Sequence, residues 1–113
     1  MKKSTLVLLV IGLSGCVNPY KYRENQTPQQ TFTSSKAPVE LQECILESWQ
    51  QNPMAYGVSA QKTGRYYSVI ATADNADIYS DGNIARVDYY SLRGALDPWR
   101  GKQKRIESIR NCL

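Results

Sequence analysis

The chain carries three cysteines, Cys16, Cys44 and Cys112, and no histidine, and these two facts bound its chemistry more tightly than any others. Without histidine, Ser-His-Asp triads, Cys-His pairs and histidine-ligated zinc are excluded, because the commonest general base and the commonest metal ligand are missing. The carboxylates Asp74, Asp77, Asp81 and Asp88 lie in one stretch. That stretch has neither the ligand spacing nor the terminal glutamate of an EF-hand loop. Asp77 and Asp88 can share a strand face, but a hairpin turn at Asp81-Gly82 also puts Asp77 opposite Arg86, a cross-strand ion pair that accounts for it equally well. No acid, base and nucleophile converge, so the expectation is a protein that is not an enzyme and needs neither cofactor nor metal.

The elements that position these residues follow from periodicity. From Pro38 on, Leu41, Cys44, Ile45, Ser48 and Trp49 recur at three- and four-residue spacing, which predicts a helix with these residues on one face. Pro38 suits its first turn, Glu40 and Glu43 suit its positive end, and Asn52-Pro53 closes it. Met54 to Gly64 reads as a loop. Tyr66 to Ala73, Ala76 to Ser80 and Asn83 to Leu92 are rich in β-branched and aromatic residues and predict three strands, with turns at Asp74-Asn75 and Asp81-Gly82. With two-residue turns, Tyr67, Val69, Ala71, Ile78, Ala85, Val87 and Tyr89 share the inner face. Asp97 as N-cap and Pro98 at the first position begin a second helix, whose apolar stripe is Trp99, Ile106, Ile109, Cys112 and Leu113. Gly101 weakens its first turn by about 1 kcal/mol relative to alanine. The expected fold is α+β, an α-β-β-β-α chain over residues 38–113 with both helices on one face of a three-stranded antiparallel meander.

Two surfaces are candidates for binding. The outer sheet face carries Tyr66, Tyr79 and Tyr90 beside Arg86, and aromatic and arginine side chains are the usual anchors of an interface. Tyrosines also favour strands for reasons of packing alone. The last segment holds Arg93, Arg100, Lys102, Lys104 and Arg105, a basic patch suited to an anionic polymer, or else the solvated face of a short helix.

The first sixteen residues have a different character. Lys2 and Lys3 precede an apolar run from Leu6 to Leu13, then small residues and a cysteine. The run is far shorter than the roughly 20 residues a membrane-spanning helix needs. Leu13-Ser14-Gly15-Cys16 resembles the lipobox of bacterial lipoproteins. The resemblance implies cleavage after Gly15, a diacylglyceryl thioether on Cys16 and acylation of the new amine by a fatty acid such as palmitate. Two or three chains anchor stably where one holds only marginally. Val17 in place of aspartate implies the outer membrane, on its periplasmic side. Residues 16–37, rich in Asn, Gln, Ser, Thr and Pro, are expected to be a lipidated flexible tether. The chain is also similar to small lipoproteins of prophages, mobile elements and secretion-linked gene clusters, through Cys44 in an early helix, Trp49 behind it and Cys112 near the end.

With Cys16 acylated in an oxidising compartment, Cys44 and Cys112 are left to pair, each on the apolar stripe of its helix. A catalytic redox pair is the weaker reading, since no C-x-x-C is present. Removal of Lys2 and Lys3 with the signal leaves 12 basic against 10 acidic residues, too small an excess to imply nucleic acid. The expected partners are the membrane, through the lipid, and another envelope protein or an anionic polymer. The alternative is an immunity or inhibitor lipoprotein that blocks a periplasmic toxin or cell-wall hydrolase.

Overall fold

The computed structural model describes residues 22–51, 57–97 and 99–113 of the chain. Its frame is an antiparallel sheet of five strands, β1 (Gln30–Ser34), β2 (Ser59–Thr63), β3 (Tyr66–Ile70), β4 (Asp74–Asp81) and β5 (Ile84–Ser91), in the order β1-β5-β4-β3-β2. Three helices accompany it among the described residues: α1 (Tyr22–Asn25), α2 (Pro38–Gln51) and α3 (Gly101–Cys112). The fold is α+β as expected, but the three-stranded α-β-β-β-α layout is corrected to five strands, because two polar segments join the meander as its edges. β2 is an exposed strand turned back on β3 through Gly64, whose φ of 60° suits the first position of a tight hairpin. β1 comes from the stretch expected as a spacer. Its alternation puts Phe32 and Ser34 inward, opposite Val87 and Ala85, and leaves Thr31 and Thr33 outside. One phenylalanine and a full ladder with β5 suffice to order a segment whose composition is polar. Regular structure is therefore already present ahead of Pro38, in Tyr22–Asn25 and Gln30–Ser34.

The inner face of the meander is the expected one, although both turns differ. Ile78 lies opposite Val87 and Tyr67, and Ala76 opposite Tyr89 and Val69. Gly82-Asn83 forms the second turn, with Gly82 at φ 65° and Asn83 at negative φ. The first is wider, closed by the Ala71 N–H donating to the Asp74 carbonyl at 2.8 Å. Each change moves the register by an even number of residues, so the faces survive while the cross-strand neighbours do not. Arg86 thus lies opposite Tyr79, and Asp77 lies opposite Asp88.

Helices α2 and α3 cover the inner face. Leu41, Ile45 and Trp49 from α2 and Ile109 and Cys112 from α3 pack with Phe32, Val69, Ile78, Val87 and Tyr89 in one core. Trp49 Nε1 donates to Ser108 Oγ at 2.7 Å, and a disulfide joins Cys44 to Cys112 across a Cα separation of 5.8 Å. α2 ends at Gln51; the closure expected at Asn52-Pro53 lies outside the described residues. α3 starts later than expected. The Arg100 N–H donates to the Asp97 carbonyl at 2.9 Å, and Arg100 then turns left-handed at φ 55°, so helical geometry begins at Gly101. Asp97 still caps it from a distance, its Oδ2 accepting the Lys102 N–H at 2.8 Å. Trp99 consequently leaves the apolar stripe and stands 68% exposed.

Candidate functional site

Helices on the inner face leave the outer face of the sheet for interaction, and this face has two halves. In the first, α1 lies over the strands. Asp77, in the middle of β4, is fully buried, and the like charge of Asp88 directly across the ladder would destabilise it. Its carboxylate accepts hydrogen bonds from Arg23 Nε (2.7 Å to Oδ2) and Nη2 (3.1 Å to Oδ1), from the Tyr22 hydroxyl (2.7 and 2.9 Å) and from Ser68 Oγ (2.6 Å). Arg23 also donates to Ser68 Oγ at 3.1 Å. The Asp77–Arg86 pair expected from the two-residue turns is therefore corrected: Arg23 neutralises Asp77, and Arg86 binds Asp81. Burial works against the Arg23 charge, but hydrogen bonding and attraction from Asp77 outweigh it and raise its pKa. The Tyr22 ring stands edge-on to Tyr90 at 5.1 Å between centroids, which buries Tyr90 and removes it from the candidate binding surface.

The second half stays open. Tyr66 and Tyr79, both half-buried, meet edge to face at 5.4 Å. The Arg65 guanidinium lies 4.6 Å from the Tyr79 ring centre and 5.3 Å from that of Tyr66, and Arg23 lies 4.1 Å from Tyr66. Asp88 holds this half from the side, accepting from the Tyr79 hydroxyl at 3.1 Å and from Thr31 Oγ1 at 2.9 Å. Burial, then the neighbouring Asp88 charge, pushes the Tyr79 hydroxyl up to about 12. Tyr66, Tyr79 and Arg86 thus remain on one accessible face, joined by Arg65, which sequence reasoning passed over. A guanidinium next in sequence to a strand tyrosine was the available signal.

The basic patch does not hold together. Arg105 is buried at 1% exposure against the Trp49 ring, 4.6 Å from its centre, with its Nε 3.5 Å from Asp74 Oδ2. Burial lowers its pKa, with Asp74 acting in the opposite direction. Arg93 folds back to the same buried carboxylate, Nε to Oδ2 at 3.0 Å, and its guanidinium lies over Gly101, where a Cβ would stand 2.7 Å from Cζ. Tyr89 and Ser91 donate to Asp74 Oδ1 at 2.6 and 2.9 Å. Arg93 and Arg105 are thus internal counter-ions, and a register of charges along the sequence could not have told them from Arg100, Lys102 and Lys104. Those three remain on the surface.

Cys16 lies outside the described residues. Among the described residues no helix is long and apolar enough to cross a membrane, and no cluster of three potential metal ligands occurs. No protein-family model matches the chain, and no curated protein sequence matches it.

Proposed function

We propose that the protein is a non-enzymatic lipoprotein, held by acyl chains on Cys16 to the periplasmic side of the outer membrane. Its domain binds another envelope protein or polymer through the open half of the outer sheet face. The observation that carries the reading is the Arg65–Tyr66–Tyr79 cluster. Its rings and guanidinium are held in one arrangement by their mutual contacts and by Asp88, yet remain accessible to a partner. Side chains ordered beforehand lose little entropy on binding, and tyrosine and arginine supply most interface hot spots. The two deeply buried carboxylates support the non-enzymatic part. Asp74 and Asp77 are each occupied by arginine and hydroxyl partners and have the surroundings of structural groups.

The test is a photo-crosslinking side chain placed at Thr63, which lies opposite Tyr66 in the ladder, in the acylated protein in its own envelope. A discrete adduct is expected there, absent when the crosslinker sits at Glu43 on the exposed side of α2 and lost with Arg65→Ala. Equal adducts at both positions, or none, would refute the binding face. An adduct with a toxin or hydrolase would turn the reading to the inhibitor alternative.

A further inference from the structure

Among the described residues the three most exposed large apolar side chains fall in one loop, between β5 and α3: Leu92 at 71%, Leu96 at 94% and Trp99 at 68%. The loop is held at both ends. The Leu92 N–H donates to the Ala73 carbonyl at 2.8 Å, Arg93 is tied to buried Asp74, and Asp97 receives the Lys102 N–H. Three exposed apolar side chains in one loop tied down at both ends call for a partner, and single exposed leucines would not. Arg100, Lys102 and Lys104 follow directly, so the flank is basic.

The position of the loop indicates what covers it. Tyr22, docked through Asp77, and Leu92 line the same cavity of about 270 Å3, with Gln26, Asn75, Tyr90 and Ser91. Tyr22, the first described residue after Cys16, therefore sits beside Leu92 at the start of this loop. From Cys16 to Tyr22 are six residue steps, which reach about 20 Å even when fully extended. A domain of this size is about 30 Å across. A leash shorter than the body it holds restricts which side can face the anchor, and the side at its base is the one bearing Leu92.

Resting on the Cys16 anchor proposed above, we infer that Leu92, Leu96 and Trp99 dock into the bilayer interface, with Arg100, Lys102 and Lys104 against anionic phospholipid headgroups. Tryptophan favours that interface, leucine enters the acyl boundary, and cations beside them add attraction to an anionic leaflet. The contact fixes the orientation of the domain and directs the Arg65–Tyr66–Tyr79 face sideways along the membrane surface.

The two tryptophans make the test direct, because Trp49 is 1% exposed in the core and only Trp99 is open to quenchers. The acylated protein is reconstituted in phosphatidylcholine–phosphatidylglycerol vesicles carrying brominated acyl chains. Trp99 emission is expected to shift to the blue, to be quenched by bromolipid and to lose its accessibility to aqueous acrylamide. In Leu92→Asp/Leu96→Asp, both sites being exposed, quenching should vanish while flotation with vesicles and thermal stability stay unchanged. Acyl mass on Cys16 with Trp99 still open to acrylamide overturns the docking alone, and a protein that covers the loop instead would give that result. Absence of acyl mass overturns the anchor, and the docking falls with it.

Discussion

Replacing Arg23 tests the contact that brings the N-terminal segment onto the sheet. Arg23→Ala removes three hydrogen bonds, two of them charge-assisted bonds to Asp77, and leaves a fully buried carboxylate with only Tyr22 and Ser68. Removing one partner of a buried pair costs about 3–5 kcal/mol when the other stays buried. Here the cover is α1 itself, four residues long, which can lift and readmit water to Asp77. The expected loss is therefore at the low end, about 3 kcal/mol. A double-mutant cycle with Asp77→Asn, read by urea unfolding of residues 16–113 carrying Cys16→Ser, isolates the pair. A coupling of about 2 kcal/mol or more is expected from charged hydrogen bonds in this setting. Arg23→Lys should recover little, since an ammonium cannot make the paired contact to both carboxylate oxygens. A coupling below about 0.5 kcal/mol, the range of exposed ion pairs, would refute the docking of α1 and with it the short leash.

Opening the Cys44–Cys112 disulfide, which spans 68 residues, should cost about 4 kcal/mol by the chain-entropy relation and lower Tm by on the order of 20 °C. Calorimetry of Cys44→Ala/Cys112→Ala against the parent checks it, and a shift of a few degrees would contradict it. Gly101→Ala should destabilise by about 1–2 kcal/mol, despite the better helix former, because its methyl displaces Arg93 from Asp74. In an Arg93→Ala background the same change should become neutral or stabilising, which equilibrium unfolding reads directly. The hydroxyls of Tyr79 and Tyr90 are pushed up to about 12 by burial and by nearby carboxylates. They stay neutral in the fold at a pH where the unfolded chain ionises them, so stability holds up to about pH 10 and falls as pH rises towards 12. Phenolate absorbance and circular dichroism recorded together should show these two rings titrating late or only with unfolding.

The parity of the strands was legible because apolar alternation survives any even shift of register. Tyr67, Val69, Ile78, Val87 and Tyr89 share a face under every such even shift. The turn positions themselves were not, since Asp81-Gly82 and Gly82-Asn83 are both sound hairpin pairs and tertiary packing chose between them. Pairing of Cys44 with Cys112 followed from their places on two helical stripes. β1 was hidden by composition, since its apolar content is a single phenylalanine and its stability comes from a ladder with a strand more than 50 residues away. A separation of 54 residues hid the partner of Asp77, and the partners of Asp74, though nearer in the chain, lie outside its own strand. Arg93, Arg105 and Arg23 are chosen in three dimensions, and a list of charges holds no sign of which arginine turns inward.

The proposed anchor at Cys16 would set the compartment, the leash and the side of the domain that meets the bilayer. Intact-mass measurement of the protein extracted from membranes tests it most directly. The predicted result is a chain that begins at Cys16 and carries diacylglyceryl and amide-linked acyl mass on that residue. A chain that retains residues 1–15, or one that begins at Cys16 without lipid, would contradict it.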